Sequence, residues 1–161
     1  MAYHNIRQKV EDAVYALLQQ APIDGANYYR TADVVARDAD ITYPFISVAG
    51  TNCTPEFDVG PEDAASGNRV VSVTVTVANR PEDVRTGGDG AVEMTMRDYH
   101  GALVAETFDQ LWQSDIKDKL NAQAVGGLYV NQVELGDETF APAEWGYRTE
   151  LALRVHAIPR D

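Results

Sequence analysis

Three histidines are the residues with the most direct claim to chemistry in this chain of 161 residues. His4, His100 and His156 lie in three separate segments, and none belongs to an HxxxH, HExxH or HxH pattern. Such short spacings are typical of metal sites, because neighbouring turns or strands must present their ligands to one ion. The sequence therefore predicts no metal and no cofactor, and it places His156 at a surface or an interface.

Two further side chains are possible nucleophiles. Ser47 lacks the G-x-S-x-G setting of a nucleophile elbow. Cys53 is the only cysteine and cannot form an intrachain disulfide. No histidine and asparagine can be placed beside it from the sequence, so we expect a small buried residue rather than a reactive thiol.

The remaining candidates are adjacent acids and a glycine-rich run. Glu11–Asp12, Glu62–Asp63 and Glu82–Asp83 are interpreted as solvated helix or loop surface rather than acid/base pairs. The GGDG run at residues 87–90 lacks the following Lys-Ser/Thr of a phosphate-binding loop. No residue type in this pattern argues for an enzyme, and we expect none.

The charge balance bears on partners. The chain has 25 acidic and 13 basic residues, a formal net charge of −12. Phosphate backbones are bound by Lys and Arg, so tight binding to DNA or RNA is not expected. The negative charge keeps the protein soluble, or it forms an acidic surface that can lie close to nucleic acid without binding it. The sequence has no apolar stretch of about 18 residues, so no membrane span is predicted. It also lacks a signal-peptide pattern, and we therefore expect the protein to be located in the cytoplasm.

The elements are organised around a strand at the C-terminal end. From Tyr147 to Ala157, apolar and polar residues alternate, which is typical of a strand with one buried face. The expected inward set is Tyr147, Thr149, Leu151, Leu153, Val155 and Ala157, and the outward set is Arg148, Glu150, Arg154 and His156. Residues 68–78, with valines at every second position, are predicted to be its partner strand.

Two helical regions are expected beside these strands. Residues 6–20 have apolar residues at helical spacing, with Asn5 as the N-cap. Residues 91–121 form the second region, in which Gly101 is a possible break. Its predicted apolar stripe is Val104, Phe108, Leu111, Trp112, Ile116 and Leu120.

Shorter segments complete the prediction. Residues 31–40 fit either a short helix or an irregular crossover. Residues 45–49 are predicted to be a strand covered on both faces, and residues 57–59 a strand fragment. Residues 128–135 are predicted to be a strand that ends in a turn at 136–137. The fold class is therefore α+β, with a mainly antiparallel sheet of four to five strands packed by two principal helices. The whole of 1–161 is predicted to be a single domain, with long loops near 50–67 and 79–90.

Aromatic residues near strand ends indicate an assembly component. Trp145, Phe140, Tyr43 and Phe57 are possible interface anchors, since Trp and Tyr are enriched in interfaces, although core packing explains each one singly as well.

At this level of detail the chain resembles the tail terminator, or tail completion, proteins of tailed bacteriophages. The resemblance rests on the strand entry Tyr43-Pro44-Phe45-Ile46-Ser47-Val48, on the closing strand from Tyr147 to Val155, and on the order of elements.

What the resemblance implies is a structural virion protein without catalytic activity. It would form a homo-oligomeric ring, a hexamer, that caps the tail tube and joins it to the head–tail connector or stopper protein. DNA would pass through the lumen without specific binding. Localisation would be the head-proximal end of the tail in the virion, after assembly in the host cytoplasm.

The candidate subunit-interface residues are Arg148, Glu150, Arg154, His156, Trp145 and Phe57. Two alternatives remain open from the sequence. One is another head–tail joining or tail-tube component. The other is a non-viral small-molecule-binding or enzymatic α+β domain with a pocket between sheet and helices.

Overall fold

The structure, a computed structural model, describes residues 5–36, 40–56, 67–80, 95–124, 127–143 and 146–159. Four helices and five strands lie in these ranges. In chain order they are α1 (Ile6–Gln20), β1 (Asn27–Arg30), α2 (Thr31–Ala36), β2 (Phe45–Pro55), β3 (Arg69–Asn79), α3 (Met96–Leu111), α4 (Ile116–Gln123), β4 (Leu128–Ala143) and β5 (Gly146–Pro159). None of the described helices is both long and apolar enough to cross a membrane.

The five strands form one sheet in the order β1-β2-β3-β5-β4. The β1–β2 pair is parallel, and the other three pairs are antiparallel. This confirms the α+β class and the predicted pairing of the last strand with β3, in which Val75 lies opposite Leu151. Because β5 is bonded on both sides, it occupies the interior of the sheet, whereas β4 lies at its edge.

The core lies between one face of the sheet and the helices α1, α3 and α4. β3 and β5 contribute their alternate residues to it, as predicted, and α1 contributes its apolar stripe from Ile6 to Leu18. Asn5 caps α1, accepting from the Gln8 amide at 3.1 Å. The largest fully buried side chains include Ile6, Leu18, Ile46, Leu103, Leu111, Leu120, Leu151 and Leu153.

Hydrogen bonds and ion pairs of charged side chains hold α1 against β2. The Glu11 carboxylate accepts from the Gly50 amide at 2.9 Å and from Arg7 at 3.0 Å, and Arg7 also donates to the Gly50 carbonyl at 2.8 Å. Asp12 accepts from Arg30 of β1 at 2.9 Å. The prediction that this acid pair forms only a solvated helix face is therefore wrong, since each carboxylate joins α1 to the sheet.

Several boundaries differ from the prediction for local reasons. β1 was not predicted, because four residues are too few to show a period. β4 does not turn out at Gly136 but continues to Ala143, with register shifts between Val130 and Gln132 and between Leu135 and Glu138. A β-carbon at Gly136 would come within 3.0 Å of the Ala152 side chain, so this glycine permits close strand contact rather than a turn.

The second helical region also differs. Gly101 does not interrupt α3, and the break comes after Leu111, before α4. Residues 31–36 form the short helix α2, and β2 runs on to Pro55 where only an exposed fragment was expected beyond residue 50. The predicted fragment at 57–59 and most of both predicted long loops lie outside the described residues.

Candidate functional site

A buried chain of hydrogen bonds joins β3, α3 and β5 near one end of the sheet. His100 of α3 lies 2.5 Å from the Asn79 side-chain oxygen through Nδ1, and 2.7 Å from the Thr149 hydroxyl through Nε2. All three residues are buried. Because an amide oxygen only accepts, Nδ1 carries the proton, and Nε2 accepts from the Thr149 hydroxyl.

The burial of this site also sets its charge. Desolvation lowers the pKa of His100 below its ordinary value. A neutral imidazole matches the two bonds above, since it donates once and accepts once. Asn79 Nδ2 is buried without a hydrogen-bond partner in the described structure.

A groove of about 590 Å³ opens above His100 and Thr149, between α3 and the outer half of β4. We call it the α3–β4 groove. Its lining residues are His100, Gly101, Val104, Ala105, Phe108, Asp109, Glu138, Phe140 and Thr149. The Phe140 ring lies 5.8 Å from His100 and 5.4 Å from Tyr147, centroid to centroid, so the wall of the groove on β4 contacts the His100 ring of the floor.

The helix α3 has two apolar stripes, and only one of them faces the core. Tyr99, Leu103 and Leu111 are buried against the sheet, with Thr107 between them. Three members of the predicted stripe, Leu111, Ile116 and Leu120, are buried in the core. The other three, Val104, Phe108 and Trp112, are only partly buried, with Trp112 38% exposed. Val104 and Phe108 pack against the core and also line the groove.

Two carboxylates stand among the groove-lining residues. Asp109 lies on α3 and Glu138 on β4, and both are exposed. Within the ranges that the structure describes, neither side chain forms an ion pair. The groove therefore combines apolar walls, an uncharged polar floor and a negative potential at its mouth.

The order Thr149–His100–Asn79 has the connectivity of a nucleophile, a base and an orienting group. A nucleophile must reach a substrate carbon at about 3–3.5 Å. Thr149 is only 3% exposed, so its hydroxyl is not presented to the groove in the way such chemistry requires. We interpret the three residues as a hydrogen-bonded link that holds β3, α3 and β5 together. Two of them, His100 and Thr149, also form the floor of the groove.

The predicted outward residues of β5 do share the face away from the helices, and each has a partner within the chain. Arg148 and Glu150 are 2.9 Å apart, and Arg154 lies 3.7 Å from Glu134 of β4. His156 is 8% exposed and lies between Glu134, at 2.6 Å, and Glu56, at 3.3 Å.

The structure therefore does not leave these four side chains free, and their use as subunit contacts remains a prediction. Trp145 and Phe57, the other two predicted interface residues, lie outside the described residues.

The structure also shows where some of the other possible nucleophiles and ligands lie. Cys53 is half-buried, and burial raises the pKa of its thiol, which disfavours a thiolate. Ser47 is buried and accepts from the Thr31 hydroxyl at 3.0 Å. His4, Glu62–Asp63, Glu82–Asp83 and residues 87–90 are outside the described ranges. Within those ranges no group of His, Cys, Asp and Glu is arranged to hold a metal ion.

The sequence left a pocket between sheet and helices open as an alternative, but it did not locate the groove or its lining residues. The available signal was the apolar content of α3, which exceeds what one buried face can use. His100 and Thr149 gave no signal, because the two partners are 49 positions apart in the sequence.

No protein-family model matches this sequence, and no curated protein matches it.

Acidification is expected to destabilise the fold through His100. Its pKa in the folded protein is lowered from 6.5, so below that pH the unfolded chain binds a proton that the folded chain resists. The contribution is complete above pH 6.5 and is lost as the pH falls below it, by at most about 1.4 kcal/mol per pH unit. Urea unfolding at about pH 7.5 and about pH 5.5 measures this loss.

The variant His100→Gln should lose this share of the pH dependence, whereas His156→Gln keeps His100 and should retain it. Equal pH slopes in the wild type and in His100→Gln would contradict the assignment.

Proposed function

We propose that this chain is a structural subunit that assembles with its own copies into a closed ring, as the tail terminator proteins of tailed phages do. The observation that carries the proposal is β4, a strand of 16 residues at the edge of the sheet. Among the described residues, β5 is its only bonded neighbour.

A long edge strand is a natural template for pairing with another chain. The Asn121 side chain of α4 bonds the outer amide and carbonyl of Val130 at the start of β4. Beyond Val130 the outer edge of β4 has no strand partner among the described residues, and soluble proteins usually shorten or cover such edges. The opposite edge of this sheet, β1, has only four residues. β4 also exposes two large apolar side chains, Leu135 at 42% and Phe140 at 55%. Edge pairing would satisfy the backbone and cover Leu135.

The two ends of the sheet differ, which favours a ring over a two-fold dimer. At the β1 end of the sheet, α2 packs against β1 and β2, and its Val35 is 78% exposed, the highest value among the large apolar residues that the structure describes. Head-to-tail contacts between unlike patches close into rings when the rotation permits. The β4 side of one subunit meeting the β1–α2 side of the next would bury Leu135 and Val35 together.

The charge of the chain fits a conduit for DNA. β4 carries Glu134, Asp137 and Glu138 and no basic residue, and the whole chain has a net charge of −12. An acidic lumen would repel phosphates, so DNA would pass without being retained. The proposed partners are the tail tube protein on one side of the ring and the head–tail connector or stopper on the other, within the virion tail.

Negative-stain electron microscopy of the purified full chain tests the proposal. Rings with a central hole are expected, alone or at the ends of tail tubes that are added to the sample. Particles of single-chain size under both conditions would overturn it.

The α3–β4 groove favours one other function, the binding of a small molecule between sheet and helix. Its volume lies within the range of about 300–1,000 Å³ that is usual for ligand sites.

A further inference from the structure

The walls of the α3–β4 groove are suited to bind the apolar part of a ligand. Val104 and Phe108 form its helical wall, and Phe140 forms the wall on β4. The polar groups of its floor satisfy each other, since His100 Nε2 and the Thr149 hydroxyl share one hydrogen bond. The part of a ligand that contacts this floor therefore needs no polar group.

The mouth of the groove selects the sign of charge. Asp109 and Glu138 line it from α3 and from β4, and neither is paired with a cation in the described part of the chain. Burial lowers the pKa of His100 below its ordinary value, which disfavours a positive charge at the floor. An anion would be repelled by the two carboxylates, whereas a cation would be attracted to them and would lie beside the rings of Phe108 and Phe140.

This chain already places its own cations over aromatic rings. The Arg30 guanidinium lies 4.4 Å from the centroid of Tyr15, and Arg80 lies 4.0 Å from that of Tyr43. The groove offers the same kind of contact, and the described residues supply no cation to Phe108 or Phe140.

We propose that the α3–β4 groove binds a small organic cation, with an aromatic or aliphatic body against Val104, Phe108 and Phe140 and an ammonium or guanidinium group between Asp109 and Glu138. This inference goes beyond the ring function and does not depend on it.

Isothermal titration of the full chain with 2-phenylethylammonium tests the proposal. Saturable binding is expected, with 2-phenylethanol, of similar size but neutral, and 3-phenylpropionate, which is anionic, each weaker by about fivefold or more. Raising the salt concentration should weaken only the binding of the ammonium compound. Equal affinity for the neutral compound, or no saturation by the ammonium compound, would overturn the proposal.

Variants locate the site. The double variant Asp109→Asn, Glu138→Gln should lose about fivefold to tenfold in affinity for the ammonium probe, while Asp118→Asn, which removes an exposed carboxylate of α4, should not. Ala105→Phe adds a ring at an exposed lining position and should block the groove without removing charge. Unchanged binding in both groove variants, with thermal unfolding confirming that they fold, would overturn the assignment.

Titration with a lysine-containing apolar peptide tests whether the groove prefers a free amine or a lysine side chain of a protein partner. Weaker binding by the peptide than by the free amine supports the proposal, and tighter binding by the peptide would overturn the assignment to a small molecule.

Discussion

Replacement of Leu135 by glutamate is expected to convert the ring into single chains. Leu135 lies on the exposed edge strand β4, where a new carboxylate would have to be desolvated against the neighbouring subunit. Burying an unpaired charge in a contact costs several kcal/mol, so we expect the subunit dissociation constant to rise by about 100-fold or more. Size-exclusion chromatography with light scattering measures the change.

The control is Gln20→Glu, which adds the same charge at an exposed position at the end of α1. This variant should assemble as the wild type does. If both variants keep the wild-type mass, β4 is not the contact.

The head-to-tail arrangement makes a sharper prediction for a pair of variants. Val35→Glu damages the patch on α2, and Leu135→Glu damages the patch on β4. Each variant alone should be monomeric, but a mixture retains one undamaged contact and should form dimers that cannot grow. A two-fold contact through β4 predicts instead that Val35→Glu assembles normally.

Replacement of Gly146 by alanine is expected to cost about 3 kcal/mol or more of the free energy of unfolding, because overpacking and backbone strain act together. Gly146 has φ +153°, and a β-carbon there would lie 2.0 Å from the Asn79 carbonyl oxygen. The backbone must move, and it belongs to the residue that also bonds His100. Chemical unfolding in urea measures the loss.

Gly101→Ala is the matched control. Gly101 lies inside α3, and a β-carbon there would meet nothing within 4 Å. Alanine in an unobstructed helix should raise the free energy of unfolding by about 0.5–1 kcal/mol. If Gly146→Ala were as stable as the wild type, the close contact with β3 would be wrong.

The sequence predicted the parts of the fold that repeat with a regular period. The alternation of Val71 to Val77 and of Leu151 to Val155 identified β3 and β5 as core strands, and the structure confirms both. β1 was missed because four residues show no period. The extension of β4 past Gly136 was missed because a glycine is compatible both with a turn and with close contact between strands.

The candidate site was less predictable, because it depends on tertiary contacts. The apolar residues of α3 predicted one stripe that included Val104, Phe108 and Leu111. Leu111 is buried as predicted, but Leu103, which was not predicted, takes a core position, and Val104 and Phe108 are only partly buried. Only the rotation of the helix against the sheet decides which stripe is buried. His100 meets Asn79 and Thr149 from distant parts of the chain, and no local pattern records such a contact.

Native mass spectrometry of the purified full chain tests the assembly most directly. The ring proposal predicts a closed species at six times the chain mass of 17.7 kDa. Because assembly follows mass action, this species should persist or grow as the concentration is raised to about 100 μM. A single species at 17.7 kDa throughout that range would contradict the proposal that β4 joins copies of this chain.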